Sequence, residues 1–208
     1  MTAPGPGPRP TYRAAVGSQV LDLPLVALGD DLTIALLITV DLRLSVVARA
    51  GEELAELLAP ERVEVVATAA TMGLPVAVEV TRALGLDEYV VLHKTPKIHL
   101  RDALTEDVRS ITTGPTQQLR LDRARVDGVA GRRVAFVDDV VSTGSSAAAA
   151  VRLLRRAGGE VVAVGALVTE TGAWKAALGP DAGLVRSLGA IPLFRPGPGG
   201  ELAPDWEG

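Results

Sequence analysis

Residues 134–146, Val-Ala-Phe-Val-Asp-Asp-Val-Val-Ser-Thr-Gly-Ser-Ser, constrain the fold of this 208-residue chain more than any other segment. Four consecutive apolar residues read as a buried strand, and they run straight into two carboxylates, Asp138 and Asp139. A turn of small hydroxyl residues around Gly144 follows and opens into an Ala-rich helix predicted over residues 146–157. The first amides of a helix have no intrahelical partner and carry the positive end of its dipole, so they form a ready phosphate site. Gly144 lets the backbone approach such a ligand without a Cβ in the way. Ser142, Thr143, Ser145 and Ser146 add hydroxyl donors. Asp138 and Asp139 are ionised acceptors placed to take the two vicinal hydroxyls of a ribose. An ordinary strand end followed by a helix cap would explain each part separately. The whole sequence of strand, paired acids, hydroxyl-glycine turn and helix is much rarer by chance, which favours the ligand reading.

The rest of the chain repeats the alternation. Two or three short strands fall between residues 13 and 40, with 32–39 the clearest, and further strands are predicted at 63–67, 88–93, 118–121, 133–137, 161–168 and 191–194. Helices are predicted over 46–58, where Val47, Ala50, Leu54 and Leu57 recur at helical spacing before Pro60, and over 75–84 before Gly85. The expected fold is α/β, a mostly parallel central sheet flanked by helices, with ligands at the carboxyl ends of the strands. Residues 95–116 are charged and without period, and read as a long loop. The Pro/Gly-rich ends, 1–10 and 195–208, are expected to be ragged.

Composition narrows the chemistry. With 21 basic and 25 acidic residues the net charge is −4, and no basic excess exists to bind nucleic acid. Cysteine is absent, removing disulfides, thiolate metal sites and cysteine nucleophiles. The two histidines, His93 and His99, show no zinc-site spacing. No apolar run is long enough for a membrane span, and the N-terminus has no signal-peptide core. A soluble, cytoplasmic protein is expected.

Residues 134–146 resemble, at every position, the phosphoribosyl-pyrophosphate signature of type I phosphoribosyltransferases. They depart from a P-loop, which needs a lysine inside the turn. The order of elements over residues 63–168 is similar to the same family, and the segment around 110–121 looks closest to adenine and xanthine phosphoribosyltransferases. The resemblance implies a single domain over 11–208, with a core at 61–169 and a small hood from 11–60 and about 170–200. It implies that Asp138 and Asp139 hold the ribose hydroxyls, while Val140, Val141, Ser142, Thr143, Gly144, Ser145 and Ser146 wrap the 5′-phosphate. Lys94 matches the lysine of an Arg-Lys pair that meets the phosphates, with His93 in the arginine's place. Residues 95–116 would be a mobile loop, bringing charge from Lys97, His99 and Arg101. A homodimer is implied as well. Mg2+ would be held through waters and the ligand's own oxygens, with Asp138 joining through a water and no direct protein ligand. One departure stands out. The turn at 68–73, where Ala69, Ala70 and Thr71 would meet pyrophosphate, carries no charge.

The reaction so implied is displacement of pyrophosphate from C1 of phosphoribosyl pyrophosphate by a ring nitrogen of a purine base, a step of purine salvage. Asp138, Asp139 and Lys94 are the expected catalytic groups. Enzymes for 6-oxopurines usually carry a lysine just past the strand after the phosphate-loop helix. Here Thr169-Glu170-Thr171 follows, with no lysine before Lys175, whose folding back across Gly172 to do that lysine's job is the alternative. Glu170 would accept from an exocyclic amine, which favours adenine, with xanthine next; the alternative is that Glu170 simply faces water. A second class of function is a non-catalytic regulator that binds phosphoribosyl pyrophosphate or a nucleotide, since bacterial purine repressors are similar in the same core. Residues 1–60 hold few basic residues and no helix-turn-helix pattern, which argues against a DNA-binding version.

Overall fold

The computed structural model describes residues 9–100, 102–108, 117–197, 199 and 201–207. Two strands, β1 (Thr11–Val16) and β2 (Gln19–Ala27), form a hairpin, followed by the short β3 (Thr33–Ala35). Helix α1 (Leu44–Leu58) comes next, then β4 (Val65–Ala69), α2 (Gly73–Ala83) and β5 (Tyr89–Leu92). A ribbon of β6 (Leu104–Val108) and β7 (Gln117–Leu121) precedes β8 (Arg133–Val141), α3 (Ser145–Arg156) and β9 (Glu160–Glu170). The chain continues through α4 (Trp174–Leu178), β10 (Val185–Ile191), β11 (Leu193–Pro196) and β12 (Leu202–Asp205).

The core is a five-stranded sheet in the order β10-β9-β8-β4-β5, with every neighbouring pair parallel. Both faces are covered, which explains why these strands read as continuous apolar runs. Successive side chains alternate between the two faces. Val65, Ala67, Val134 and Phe136 pack with the apolar side of α3, while Val66, Ala135 and Val137 pack with α1 and α2. On α1 the buried stripe is Val47, Ala50, Gly51, Leu54, Ala55 and Leu58; Leu57, expected in it, is exposed.

A second sheet, antiparallel throughout, has the order β1-β2-β3-β11-β12. It joins residues from both ends of the chain. Its β1 lies directly against β10: Gly17 N–H donates to Leu188 O (3.0 Å), and a Cβ on Gly189 would stand 2.1 Å from Ala15 O. Only glycine permits that approach. Helix α1, though close in sequence to β3, packs on the core sheet instead.

Several expectations change. The strand predicted over 32–39 shrinks to β3, and Thr39 opens a 3-10 turn. The expected loop over 95–116 contains a 3-10 turn at Ile98–Leu100 and strand β6, whose alternating polar residues pair antiparallel with β7. The C-terminal segment, expected to be ragged, forms β11 and β12, tied by Arg195 to Asp205 (2.7 Å). The single strand predicted over 191–194 is the junction of β10 and β11. Residues 1–8 of the expected N-terminal tail, the loop positions Arg101 and 109–116, and the His99 side chain lie outside the described residues. Among the described residues no helix is long and apolar enough to cross a membrane.

Candidate functional site

From β4 the chain moves outward to β5, then returns to the other side of β4 as β8. That reversal leaves a crevice at the carboxyl ends of β4 and β8, the usual ligand position in such sheets. A cavity there is lined by Lys94, Asp138, Asp139, Val140, Val141, Ser142, Thr143, Gly144, Ser146 and Ala147. The structure thus brings Lys94, from the end of β5, to the acids and loop of the signature segment. Ser145 does not line it; its backbone N–H and hydroxyl lie 3.4 and 3.2 Å from Thr143 Oγ1.

The paired acids belong to β8 itself. Pairing of Val140 with Val168 and Val141 with Thr169 carries the strand past them, beyond the apolar run that marked it in the sequence. Asp138 is buried, and its Oδ1 accepts from the Asp139 N–H (3.1 Å). Burial holds the Asp138 carboxyl well above the usual carboxylate range; the adjacent Asp139 charge pushes the same way and Lys94 opposes it. Gly73 makes this packing possible. A Cβ there would come within 2.3 Å of Thr68 Oγ1 and 2.7 Å of Asp138 Oδ1.

Gly144 has φ +77°, and a Cβ on it would meet Trp174 O at 2.8 Å and Trp174 Cα at 2.9 Å. The loop is therefore seated on the first turn of α4. No side chain caps α3 at Gly144; its first amide, Ser145 N–H, meets Thr143 Oγ1 at 3.4 Å, and the amides of Ser146 and Ala147 are left to face a ligand. Ser142 Oγ donates to Glu170 Oε2 (2.5 Å) from the end of β9. Glu170 is buried, which raises its pKa against the lowering effect of Ser142, so the water-facing alternative is overturned. Nor does Glu170 line the cavity. Lys175 holds its ammonium 5.6 Å from the Trp174 ring centre, and the Trp174 indole N–H donates to Thr171 O (3.1 Å).

Residues 68–73 run from the end of β4 to the start of α2; Ala69, Ala70 and Thr71 do not line the cavity, although Gly73 beside them packs on Asp138. Its backbone is tied by Ala70 N–H to Leu92 O (3.0 Å), the Ala70–Thr71 peptide is cis, and Met72 O accepts from the Thr39 hydroxyl. Sequence reasoning missed the packing roles of Gly73, Trp174 and Thr39. It also missed Arg120, whose guanidinium donates to Lys94 O (3.1 Å).

Two carboxylates and a lysine on one cavity leave no protein-built cage for a metal ion. Among the described residues no three His, Cys, Asp or Glu side chains come together in a way that could hold one. The donor set fits a hydrated Mg2+ carried by a diphosphate, with Asp138 and Asp139 as outer acceptors.

The sequence profile of the phosphoribosyl transferase domain matches residues 41–185, more than half of the chain. The chain belongs to this family. A xanthine phosphoribosyltransferase of Geobacillus thermodenitrificans is 28% identical over 120 residues, 58% of this chain and 61% of that protein. An adenine phosphoribosyltransferase of Mycobacterium avium is 54% identical over 52 residues, 24% of this chain and 28% of its own. Among solved structures, an adenine phosphoribosyltransferase of Rhodothermus marinus superposes with a TM-score of 0.55 at 25% identity, covering 69% of this chain and 78% of that one. The chain spans about three-fifths of the length of the curated xanthine relatives it matches. The matched residues contain strands β4, β5, β8 and β9 of the parallel core sheet, and the strands of the second sheet lie outside them.

Proposed function

We propose that the protein transfers ribose 5-phosphate from phosphoribosyl pyrophosphate to a purine base. One observation carries this reading: Lys94, the acid pair and the uncapped loop before α3 converge on a single cavity at the sheet's switch point. The loop amides and the Thr143 and Ser146 hydroxyls take the 5′-phosphate, while the Ser142 hydroxyl holds the loop to Glu170. Asp138 and Asp139 accept from the ribose hydroxyls, and Lys94 offsets the diphosphate. In the reaction the bond from C1 to the pyrophosphate oxygen breaks, a ring nitrogen of the base bonds to C1, and that nitrogen's proton is lost. Charge develops on sugar and leaving group, so the protein contributes alignment and electrostatic stabilisation. Magnesium, when bound with the diphosphate, neutralises the leaving group.

Adenine is the favoured base, with xanthine next. Glu170 is engaged by Ser142, so direct reading of the base by Glu170 loses its support. Support for adenine rests instead on the residues after β9, where the first lysine is Lys175, its ammonium 5.6 Å from the Trp174 ring centre. A regulator that binds the same ligand without turnover is favoured by one observation, the uncharged turn at 68–73 outside the cavity. A panel of purine and pyrimidine bases with phosphoribosyl pyrophosphate and magnesium, read as pyrophosphate release, separates these readings. Release with adenine at the highest specificity constant is expected. Higher constants for xanthine or guanine overturn the base, and no release with any base moves the protein to the regulator class.

A further inference from the structure

We infer that Arg120 is a second pyrophosphate-binding cation of this site, acting beside Lys94; the inference rests on the transferase reading above. Arg120 lies on β7, directly opposite His93: His93 N–H donates to Arg120 O (2.8 Å), and Arg120 N–H donates back to His93 O (2.9 Å). Its position beside Lys94, whose side chain lines the cavity, is therefore set by backbone pairing with the residue preceding that lysine. The guanidinium is oriented as firmly. Nη1 donates to Lys94 O (3.1 Å) and Gln118 O (3.3 Å), and Nη2 donates to Gln118 Oε1 (2.8 Å).

All three acceptors are neutral. Most arginines among the described residues end on a carboxylate, as Arg133 does on Glu160 and Arg155 on Asp181. Arg120 is half-buried and makes no ion pair among the described residues. A guanidinium carries five N–H donors in a fixed plane, so N–H groups remain beyond these three bonds. Arg120 thus holds an uncompensated charge within one hydrogen bond of the main chain of Lys94, whose side chain lines the cavity. A half-buried cation whose hydrogen-bond partners are all neutral is stabilised by an anion from outside the chain. A diphosphate is such an anion, and its two phosphoryl groups match an ammonium and a planar fork.

The need is also visible. The turn at 68–73 offers no charge to a leaving group that gains negative charge as the bond breaks. The ribbon that carries Arg120 is fixed as well, because Glu106 on β6 accepts from Arg152 (2.7 Å) and Arg156 (2.8 Å) of α3. Arg120 is therefore preorganised before any ligand arrives.

Calorimetric titration of the full chain with Mg-phosphoribosyl pyrophosphate, Mg-pyrophosphate and ribose 5-phosphate tests this. Arg120→Gln should weaken the first two by about tenfold or more, the worth of one charged hydrogen bond, and ribose 5-phosphate by less than about twofold. Arg120→Lys keeps the charge but not the fork, and should recover part of the loss. Equal losses for all three ligands, or no loss for pyrophosphate, would overturn the assignment. Absence of phosphoribosyl-pyrophosphate binding by the unmodified protein would instead remove the transferase reading, and Arg120 with it.

Discussion

Glu170, buried at the carboxyl end of β9, accepts a hydrogen bond from the Ser142 hydroxyl just past the end of the paired strand β8. The bond ties the phosphate loop to the sheet at its entry, while Gly144 seated on Trp174 ties it at its exit. A carboxylate so close to a bound phosphate is electrostatically costly, and burial already favours its protonated form. Glu170→Gln keeps an acceptor for Ser142 and removes the charge. It should bind a nucleoside monophosphate at least as tightly as the unmodified protein, whereas Glu170→Ala should bind about tenfold more weakly because the loop loses its anchor. Equal weakening in both variants would mean that the charge itself is required.

Asp138 places a charge where the fold resists one. Its pKa in the folded protein is raised, so the stabilisation it gives is complete below the unfolded value of about 3.9 and is lost as pH rises through the folded value. Asp138→Asn should therefore melt higher than the unmodified protein at pH 8. The gap should close as pH falls towards about 4. A difference in melting temperature that does not change with pH would show that Asp138 is not buried against its charge.

The ribbon of β6 and β7 is held to α3 by Glu106 between Arg152 and Arg156. The Arg152 hydrogen bond, against a smaller opposing effect of burial, keeps the Glu106 carboxyl below its usual range. That contribution is present above the unfolded pKa of about 4.3 and is lost as pH falls through the lower folded value. Glu106→Gln should cost about 1 kcal/mol in urea unfolding at pH 7, since both arginines are partly exposed. The difference should shrink in acid. A constant difference from pH 7 to pH 3 would place the effect in packing rather than in charge.

The features legible in the sequence were those set locally. Gly144 announces a left-handed turn, the apolar run before Asp138 announces a buried strand, and Ala147–Ala150 announce a packed helix face. The features that stayed hidden depend on partners distant in the chain. Strand β8 ends at Val141, because β9 pairs that far, although its apolar run is interrupted at Asp138. Strands β11 and β12 contain Pro196 and Pro204, which read as turn signals, and they form only because β3 offers an edge. Charged β6 has no apolar period, and its pairing with β7 across residues 109–116 cannot be read from either segment alone. Glu170 reads from the sequence either as an acceptor for the base or as a water-facing glutamate, because the partner that engages it, Ser142, stands 28 residues away.

The assignment of Asp138 and Asp139 to the ribose hydroxyls is tested most directly by titrating Mg-phosphoribosyl pyrophosphate into the unmodified protein and into the Asp138→Asn, Asp139→Asn double variant by calorimetry. Asparagine keeps the size of each side chain but accepts less strongly and presents donors where the ribose also donates. Measurable binding by the unmodified protein is expected, with affinity reduced by about tenfold or more in the double variant while its circular dichroism is unchanged. Equal affinity in the two proteins, or no binding by the unmodified one, would contradict the assignment.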